Sequence, residues 1–426
     1  MKVLVIGGGG REHALVWKLL QSRHVDKIYC CPGNAGISGL AECIDTDTKD
    51  FDALIDFVKY EWIDLTVVGP EEPLSRGIAE AFEKEGRRIV GPTSKAAMLE
   101  SSKVFSKNFM RQYGIPSAEY KVFSSYMQAE DYVRLKGAPI VVKADGLAAG
   151  KGVMVAHTVE EAIDALRLIM KERAFGEAGE KVVVEECLKG EEASFMAFTD
   201  GKTVLPMVSS QDHKRVFDGD MGPNTGGMGA YSPAPVITKE LEQTIMDKVM
   251  KPALRGMRSE GIKYKGILYA GIMVKDGAPY VLEFNCRFGD PETQPVLMRM
   301  ESDLFDVLTA LTDEKLSDIE IKWRPDASVC VVLASGGYPG KYEKGKVIKG
   351  LEEVKNMDNV MVFHAGTAFN NGEIVTSGGR VLGVTAIAKD INSAKEKAYE
   401  AAGKINFKGM HYRTDIADRA IRRTPV

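Results

Sequence analysis

Short apolar runs alternate with helical spacing over the first hundred residues. Residues 3–6 form an apolar run that ends in Gly7-Gly8-Gly9-Gly10, and a helical pattern follows through Ala14, Leu15, Leu19 and Leu20. Residues 27–30, 65–68 and 88–90 read as further strands, the last two closed by Gly69-Pro70 and Gly91-Pro92. Strands at this spacing, with helices between them, predict a parallel sheet. Beyond Thr93 the pattern changes. A helical stretch to about Tyr113 is followed by strands at 120–123, 140–143 and 153–155, a helix over about 159–170 and a strand at 182–184. A small α+β unit fits this segment. From Gly190 to about Arg324, longer strands at 267–274 and 280–284 flank a glycine-rich loop and a helix. The last hundred residues are strand-rich again, most clearly at 329–334 and 381–386.

At 426 residues the chain suggests two to four domains of about 150 residues each. Lys and Arg number 56 against 60 Asp and Glu, a net charge of −4, which argues against a dedicated nucleic-acid binder. Glycine is in excess, with 43 residues against a usual share of about 7%, and many lie in clusters. The six cysteines form no CxxC pair and suit a reducing cytosol. No apolar run approaches the roughly 18–20 residues of a membrane span. The apolar start at residues 1–6 is too short for a signal peptide. The expectation is a soluble, cytoplasmic protein without membrane or nucleic-acid partners.

The first glycine cluster follows a strand and opens a helix, a placement that suits a phosphate on a helix N-terminus. It is not a dinucleotide fingerprint, because Glu12 or His13 stands where the third glycine belongs and Cys30-Cys31 runs into Pro32. Arg11 and His13 offer polar groups for a sugar phosphate; a tight turn without a ligand reads equally well. The segment from Lys143 through Asp145 and Gly146 to Gly150-Lys151-Gly152 resembles a phosphate-binding loop but fails the P-loop spacing. Its glycines and two lysines still make a good phosphate cover. Acids follow the strand at 182–184, at Glu185, Glu186, Glu191 and Glu192, and suit ribose hydroxyls only weakly.

Two more segments concentrate chemistry. Gln211-Asp212-His213-Lys214-Arg215 precedes Gly222-Pro223-Asn224-Thr225-Gly226-Gly227-Met228-Gly229, a loop open to close ligand approach beside cations. Along the strand ending in Glu283-Phe284-Asn285, Glu283 and Asn285 share one face. Two oxygen ligands of this kind suit Mg²⁺. Arg287 beyond them offers a planar fork for a carboxylate or phosphate. The continuation Phe288-Gly289-Asp290-Pro291-Glu292 makes simple alternation the weaker account.

With these segments in order, the chain resembles the phosphoribosylamine–glycine ligase (glycinamide ribonucleotide synthetase) family of ATP-grasp enzymes. The resemblance covers essentially the whole chain. It rests on Gly7 to His13, Pro32-Gly33-Asn34-Ala35-Gly36, Val68 to Leu74, Lys143 to Gly152, Gln211 to Arg215, Pro223 to Met228, Arg287 to Gln294, His364 to Thr367 and Ser377 to Arg380. It implies an α/β and α+β multidomain fold: a Rossmann-like N-terminal domain (1–101), a central ATP-grasp domain (102–121 and 190–325), a small ATP-binding lid (122–189) and a C-terminal mixed α/β domain (326–426).

The implied activity is ATP-dependent ligation of glycine to 5-phosphoribosylamine in purine biosynthesis, giving glycinamide ribonucleotide, ADP and phosphate. The implied metal is Mg²⁺ or Mn²⁺, and the implied assembly a monomer or weak homodimer. By the same resemblance Lys103, Lys143, Gly150, Lys151 and Gly152 meet the ATP phosphates. Glu185, Glu186 and Leu188 line the adenine, and Glu192, or less readily Glu191, takes the ribose. Glu283 and Asn285 hold the metal. Many ATP-grasp enzymes carry another acidic ligand on the preceding strand, but here 270–274 has no carboxylate, so a second protein-held metal is not expected. Arg287, Thr225, Gly226, Gly227 and Met228 are assigned to glycine and its acyl phosphate, with Asp212, Lys214 and Asp290 in support. Gly9, Gly10, Arg11, Glu12, His13, Asn34 and Glu71 are assigned to the ribosyl phosphate. The competing readings are another ATP-grasp ligase, a nicotinamide dehydrogenase weakened by Glu12 and Pro32, and a nucleotide sensor without turnover.

Overall fold

Both faces of the first sheet are covered, which is why its strands are continuous apolar runs rather than alternating ones. In the computed structural model, which describes residues 1–147 and 152–423, five parallel strands lie in the order Glu42–Cys43, Lys27–Pro32, Lys2–Gly7, Leu65–Val68, Ile89–Val90. Leu4 and Ile6 pack to one side with Leu54, Val58 and Phe82. Val3 and Val5 pack to the other with Ala14, Leu15 and Leu19. The helix Gly10–Leu19 buries its first turn, polar residues included, against the helix Thr293–Met298 and the strand Val360–His364.

That buried first turn is held from within. Glu12 accepts from the Gly9 amide at 2.6 Å and pairs with Arg11 Nε at 2.6 Å. Gly69 passes so close that a Cβ there would lie 1.9 Å from Glu12 Oε1. Gly69→Ala is therefore expected to cost about 1–3 kcal/mol of stability. Urea unfolding checks this, and a midpoint equal to wild type would refute it.

The helical stretch expected from 93 to 113 is broken in the structure into Ser94–Ser101 and Lys103–Gln112. Ser102 is extended between them, and its hydroxyl accepts from the Phe105 amide at 3.0 Å and donates to Asp145 at 2.9 Å. The break makes Lys103 the first residue of a new helix. A four-stranded antiparallel sheet follows, ordered Tyr120–Phe123, Val182–Glu186, Ile140–Ala144, Val153–Ala156, with its own core of Val142, Ile163, Leu166 and Val184.

A second antiparallel sheet, Val204–Pro206, Glu191–Asp200, Lys265–Lys275, Ala278–Asn285, forms the floor beneath it. Its last pairing skips Leu282, because Gly271 opposes Glu283 while Ile272 opposes Val281. This bulge leaves the Leu282 carbonyl outside the ladder.

The third antiparallel sheet joins distant segments: Gln211–Asp212, Gly229–Ser232, Ala327–Ala334, Arg380–Ala388, Val360–His364. The strands on either side of the 213–228 loop are thus built into the same sheet as the C-terminal strands. The strands Arg215–Phe217 and Met221–Asn224 form a hairpin that projects from that loop onto the tail of the chain. There Arg413, 1% exposed, forks onto Asp415 with two bonds of 2.7 Å. It also donates to Asp220 at 3.0 Å and to the Arg215 carbonyl at 3.1 Å. The amide of Thr414 donates to Asp218 and that of Gly219 to Asp415. Among the described residues, no helix is long and apolar enough to cross a membrane.

Candidate active site

Four cations converge on one carboxylate. Glu283 lies half-buried on the bulged strand, and its carboxylate makes no hydrogen bond or ion pair among the described residues. Burial pushes its pKa up, but Lys103, Lys214, Lys143 and Arg287 together bring it down to about 2. Asn285, two residues on, is buried on the same face, and its Oδ1 lies 3.4 Å from Arg287 NH2. An ionised carboxylate and an amide oxygen side by side make a hard donor pair that fits Mg²⁺ or a similar divalent ion. Gly271, directly opposite Glu283, supplies no second carboxylate from the neighbouring strand.

The lysines come from three elements. Lys103 opens its helix and donates to the Glu100 carbonyl at 3.1 Å. Lys143 is the penultimate residue of a strand of the small sheet, donates to the freed Leu282 carbonyl at 3.1 Å and is ion-paired with Glu185. Glu185 is 3% exposed and also meets Lys107 at 2.5 Å. Lys107 was not anticipated. Its signal was nonetheless in the sequence, four residues after Lys103 and so on the same helix face. Asp145 bridges the glycine segment to the central helix by accepting from Ser102 and from the Val104 amide. Gly150 and Lys151 lie outside the described residues; Gly152 is buried, and its carbonyl accepts from Ala144.

Next to these cations, Leu188 packs with Ala118, Met273, Tyr280 and Leu282 in a small apolar cluster. Glu186 is exposed and within 3.5 Å of Lys275, while Glu192 is half-buried on the adjoining strand.

Arg287 is engaged on all sides. It pairs with Glu71 at 3.2 Å and Glu100 at 3.1 Å, and donates to the Phe288 carbonyl at 3.1 Å. Against the pull of burial, Arg287 and Arg11 hold Glu71 down at about 2. Glu100, 4% exposed, also accepts from the Cys286 amide; no sequence pattern marked it. Lys214 pairs with the buried Asp212 at 3.1 Å. Glu292, 2% exposed, accepts from Tyr269 at 2.5 Å and Ser194 at 3.0 Å. Burial and the neighbouring Asp212 push its carboxyl up.

The loop after Lys214 is pinned. Thr225 donates its amide and hydroxyl to the Lys214 carbonyl at 2.7 and 2.8 Å, and Gly227 donates to the Thr225 hydroxyl at 2.9 Å. Gly226 donates to the Tyr338 hydroxyl and accepts from Arg380. Met228 points into the core beside Val216 and Ala334. Arg380 also grips Asp290, through its carbonyl at 2.7 Å and its carboxylate at 3.1 Å, and Gln294 donates to the same carboxylate.

The expected sugar-phosphate residues divide. Arg11 and Glu12 are spent on each other and on backbone. His13 is buried, accepts from the His364 amide at 2.8 Å, and is held by burial near a pKa of 3, hence neutral. Asn34 donates to the Gly8 and His364 carbonyls and accepts from the amides of Gly36 and Ile37. Glu71 belongs to the Arg287 cluster. Gly10 packs within reach of Gln294. Gly9 and Asn34, however, line a cavity of about 340 Å³ with Gly8, Gly33, Asp290, Tyr338, Ala365, Gly366, Thr367, Ser377 and Arg380. Its C-terminal wall was legible only as motifs of unassigned role.

A cation-lined cleft between two antiparallel sheets, with a carboxylate and an amide on the floor strand, defines an ATP-grasp protein. Successive segments match the N domain (residues 1–100), the ATP-grasp domain (101–293) and the C domain (328–419) of phosphoribosylglycinamide synthetase. A phosphoribosylamine–glycine ligase of Vibrio parahaemolyticus is 55% identical over 426 residues, covering 99% of each chain. A crystal structure of phosphoribosylamine–glycine ligase from Thermotoga maritima matches at 35% identity and TM-score 0.84, over 98% of this chain and 100% of that one. A biotin carboxylase from Campylobacter jejuni shares the fold at TM-score 0.72 with 15% identity, over 96% and 92%. The chain belongs to the phosphoribosylglycinamide synthetase family.

Proposed function

We propose that the chain ligates glycine to 5-phosphoribosylamine at the expense of ATP, releasing ADP and phosphate. The observation that carries this reading is the convergence of Lys103, Lys143, Lys214 and Arg287 on Glu283, with Asp290, whose carboxylate feels the Arg287 charge, lining the 340 Å³ cavity. The cations suit a polyphosphate and an acyl phosphate, and the cavity suits a separate polar co-substrate.

Adenine lies on the apolar patch of Leu188, Ala118 and Met273, with ribose toward Glu192. Lys103 and Lys143 neutralise the phosphates. Glu283 and Asn285 hold the divalent ion, Mg²⁺ or Mn²⁺, which supplies charge neutralisation to the transferred phosphoryl group. A glycine carboxylate oxygen attacks the γ-phosphorus, the bond to the bridging oxygen breaks, and ADP leaves. Arg287 and the 225–228 loop, which is pinned on Lys214 and Tyr338, shape the site for the resulting glycyl phosphate. The amine of phosphoribosylamine then attacks the acyl carbon and phosphate departs. The proton lost by the amine is taken up by a group in the cleft or by the departing phosphate. Asp212, Glu292 and Lys214 keep polar groups at that end fixed. No side-chain nucleophile is needed; positioning and charge stabilisation carry the rate. Excluding water protects both the acyl phosphate and the aminosugar.

The sugar phosphate is assigned to the cavity, not to the internally capped helix start at Glu12. Arg380→Gln is expected to raise KM for phosphoribosylamine about 10- to 100-fold, from lost charged hydrogen bonds, and to leave KM for ATP within about twofold. An unchanged phosphoribosylamine KM would remove Arg380 from that site. The reading as a whole is tested by ADP release with glycine and with phosphoribosylamine generated in situ, with the product identified by mass. ADP formation that depends on both substrates supports it. Dependence on bicarbonate or another acid would retain only the fold assignment.

A further inference from the structure

Glu185 carries a lysine on each carboxylate oxygen: Lys143 on Oε1 and Lys107 on Oε2, the latter at 2.5 Å. All three residues are at most 5% exposed. Lys143 is one of the lysines assigned above to the nucleotide phosphates, yet here it is bound to Glu185 and to the Leu282 carbonyl. A phosphate that draws Lys143 toward itself weakens its hold on a buried carboxylate. An uncompensated buried charge is strongly unfavourable, so a nucleotide site built this way needs a second cation that stays. Lys107 occupies that place, one helical turn beyond Lys103, on a helix that packs against both the Glu185 strand and the Glu283 strand.

We propose that Lys107 is a positioning residue for nucleotide binding: it remains on Glu185 as a permanent counter-ion and so frees Lys143 for the nucleotide phosphates. Lys107 touches neither substrate nor metal in this arrangement and acts through Glu185. The inference rests on the nucleotide reading of the cleft. It also sets a pH dependence. Burial lowers the Lys107 amine to about 8, against the opposing pull of Glu185. The other charged groups facing it are Lys143 and Glu283 from the packed strands, with Lys103 at the start of its own helix. As pH rises through about 8, Lys107 loses its charge, and release of Lys143 then strands Glu185.

The test is the dissociation constant of Mg-ATP, measured by titration calorimetry on the full chain between pH 6.5 and 9.5. Lys107→Met is expected to weaken ATP binding about 10- to 100-fold at pH 7. Wild type is expected to lose affinity above about pH 8, and Glu185→Gln to lack that alkaline limb. The double variant Lys107→Met/Glu185→Gln removes one buried charge of each sign and leaves Lys143 with the Leu282 carbonyl and the nearby Glu283 carboxylate, so it stays measurable should the single variant misfold. Its affinity is expected to equal that of Glu185→Gln alone. An additional loss in the double variant, wild-type affinity in Lys107→Met, or an alkaline limb that persists in Glu185→Gln overturns the proposal. Failure of the wild-type chain to bind ATP would instead overturn the nucleotide reading.

Discussion

Replacing Glu283 by alanine is expected to lower turnover about 10³-fold at saturating ATP, with the chain still folded. Two losses combine. On the proposed metal assignment the divalent ion would lose the carboxylate of its donor pair, since Asn285 is neutral and Gly271 offers nothing from the neighbouring strand. Lys103, Lys143, Lys214 and Arg287 lose the negative charge they surround, so the cleft holds phosphates without the metal that must accompany them. Tighter ATP binding with lost turnover is the expected signature. Because burial and the four cations leave Glu283 near a pKa of 2, it stays ionised at any pH where the chain is handled. The check is initial rate against metal concentration, beside circular dichroism for the fold. Recovery of near-normal rate at high metal would reduce Glu283 to an affinity determinant, and an unaltered rate would sink the metal assignment.

Arg287 gives the second large effect, and it divides stability from activity. Its guanidinium holds Glu71, Glu100, Asn285 and the Phe288 carbonyl at once. Glu100 is almost fully buried, so Arg287→Met leaves its charge uncompensated and is expected to cost about 3–5 kcal/mol of folding stability. Arg287→Lys recovers little, because an ammonium cannot span these partners with a planar fork. Adding Glu100→Gln to Arg287→Met removes the orphaned charge and is expected to restore most of the stability but none of the ligation. Urea unfolding and the product assay together decide this. Restored activity in the double variant would show that Arg287 serves the fold alone.

How far the sequence could be read depended on what kind of signal each element carries. The parallel N-terminal strands were plain, since strands buried on both faces are unbroken apolar runs. The strand Glu191–Asp200 was not anticipated, although it is central to the floor sheet. It opens on two acids and mixes Ser194 and Thr199 into its apolar positions. The helix Ile391–Lys404 was missed too, because alanines rather than large apolar residues make its buried stripe. The break at Ser102 joins a local signal, a serine capping the Phe105 amide, to a bond with Asp145 more than forty residues away that no local pattern reveals. At the site, Glu283, Asn285, Lys103 and Lys143 were legible from strand alternation and from family motifs. Glu100 was not singled out, because its partner Arg287 reaches it only through the fold, and Lys107 was passed over although it stands one helical turn after Lys103. For Arg11, Glu12 and Asn34, residue type suggested ligand binding, and the packing of their own loops consumes their polar atoms.

The Arg413 clamp bears on how the molecule matures. Asp218 and Asp220 find side-chain partners among residues 413–419, and the Arg215 carbonyl accepts from Arg413. A chain emerging from the ribosome can complete its parallel sheet and its lid long before those partners exist. The hairpin beside Lys214 and Thr225 must wait for nearly two hundred more residues of synthesis before it is secured. On the proposed placement of the substrates, the end of the cleft beside Lys214 and Thr225 is therefore the last to be secured during synthesis.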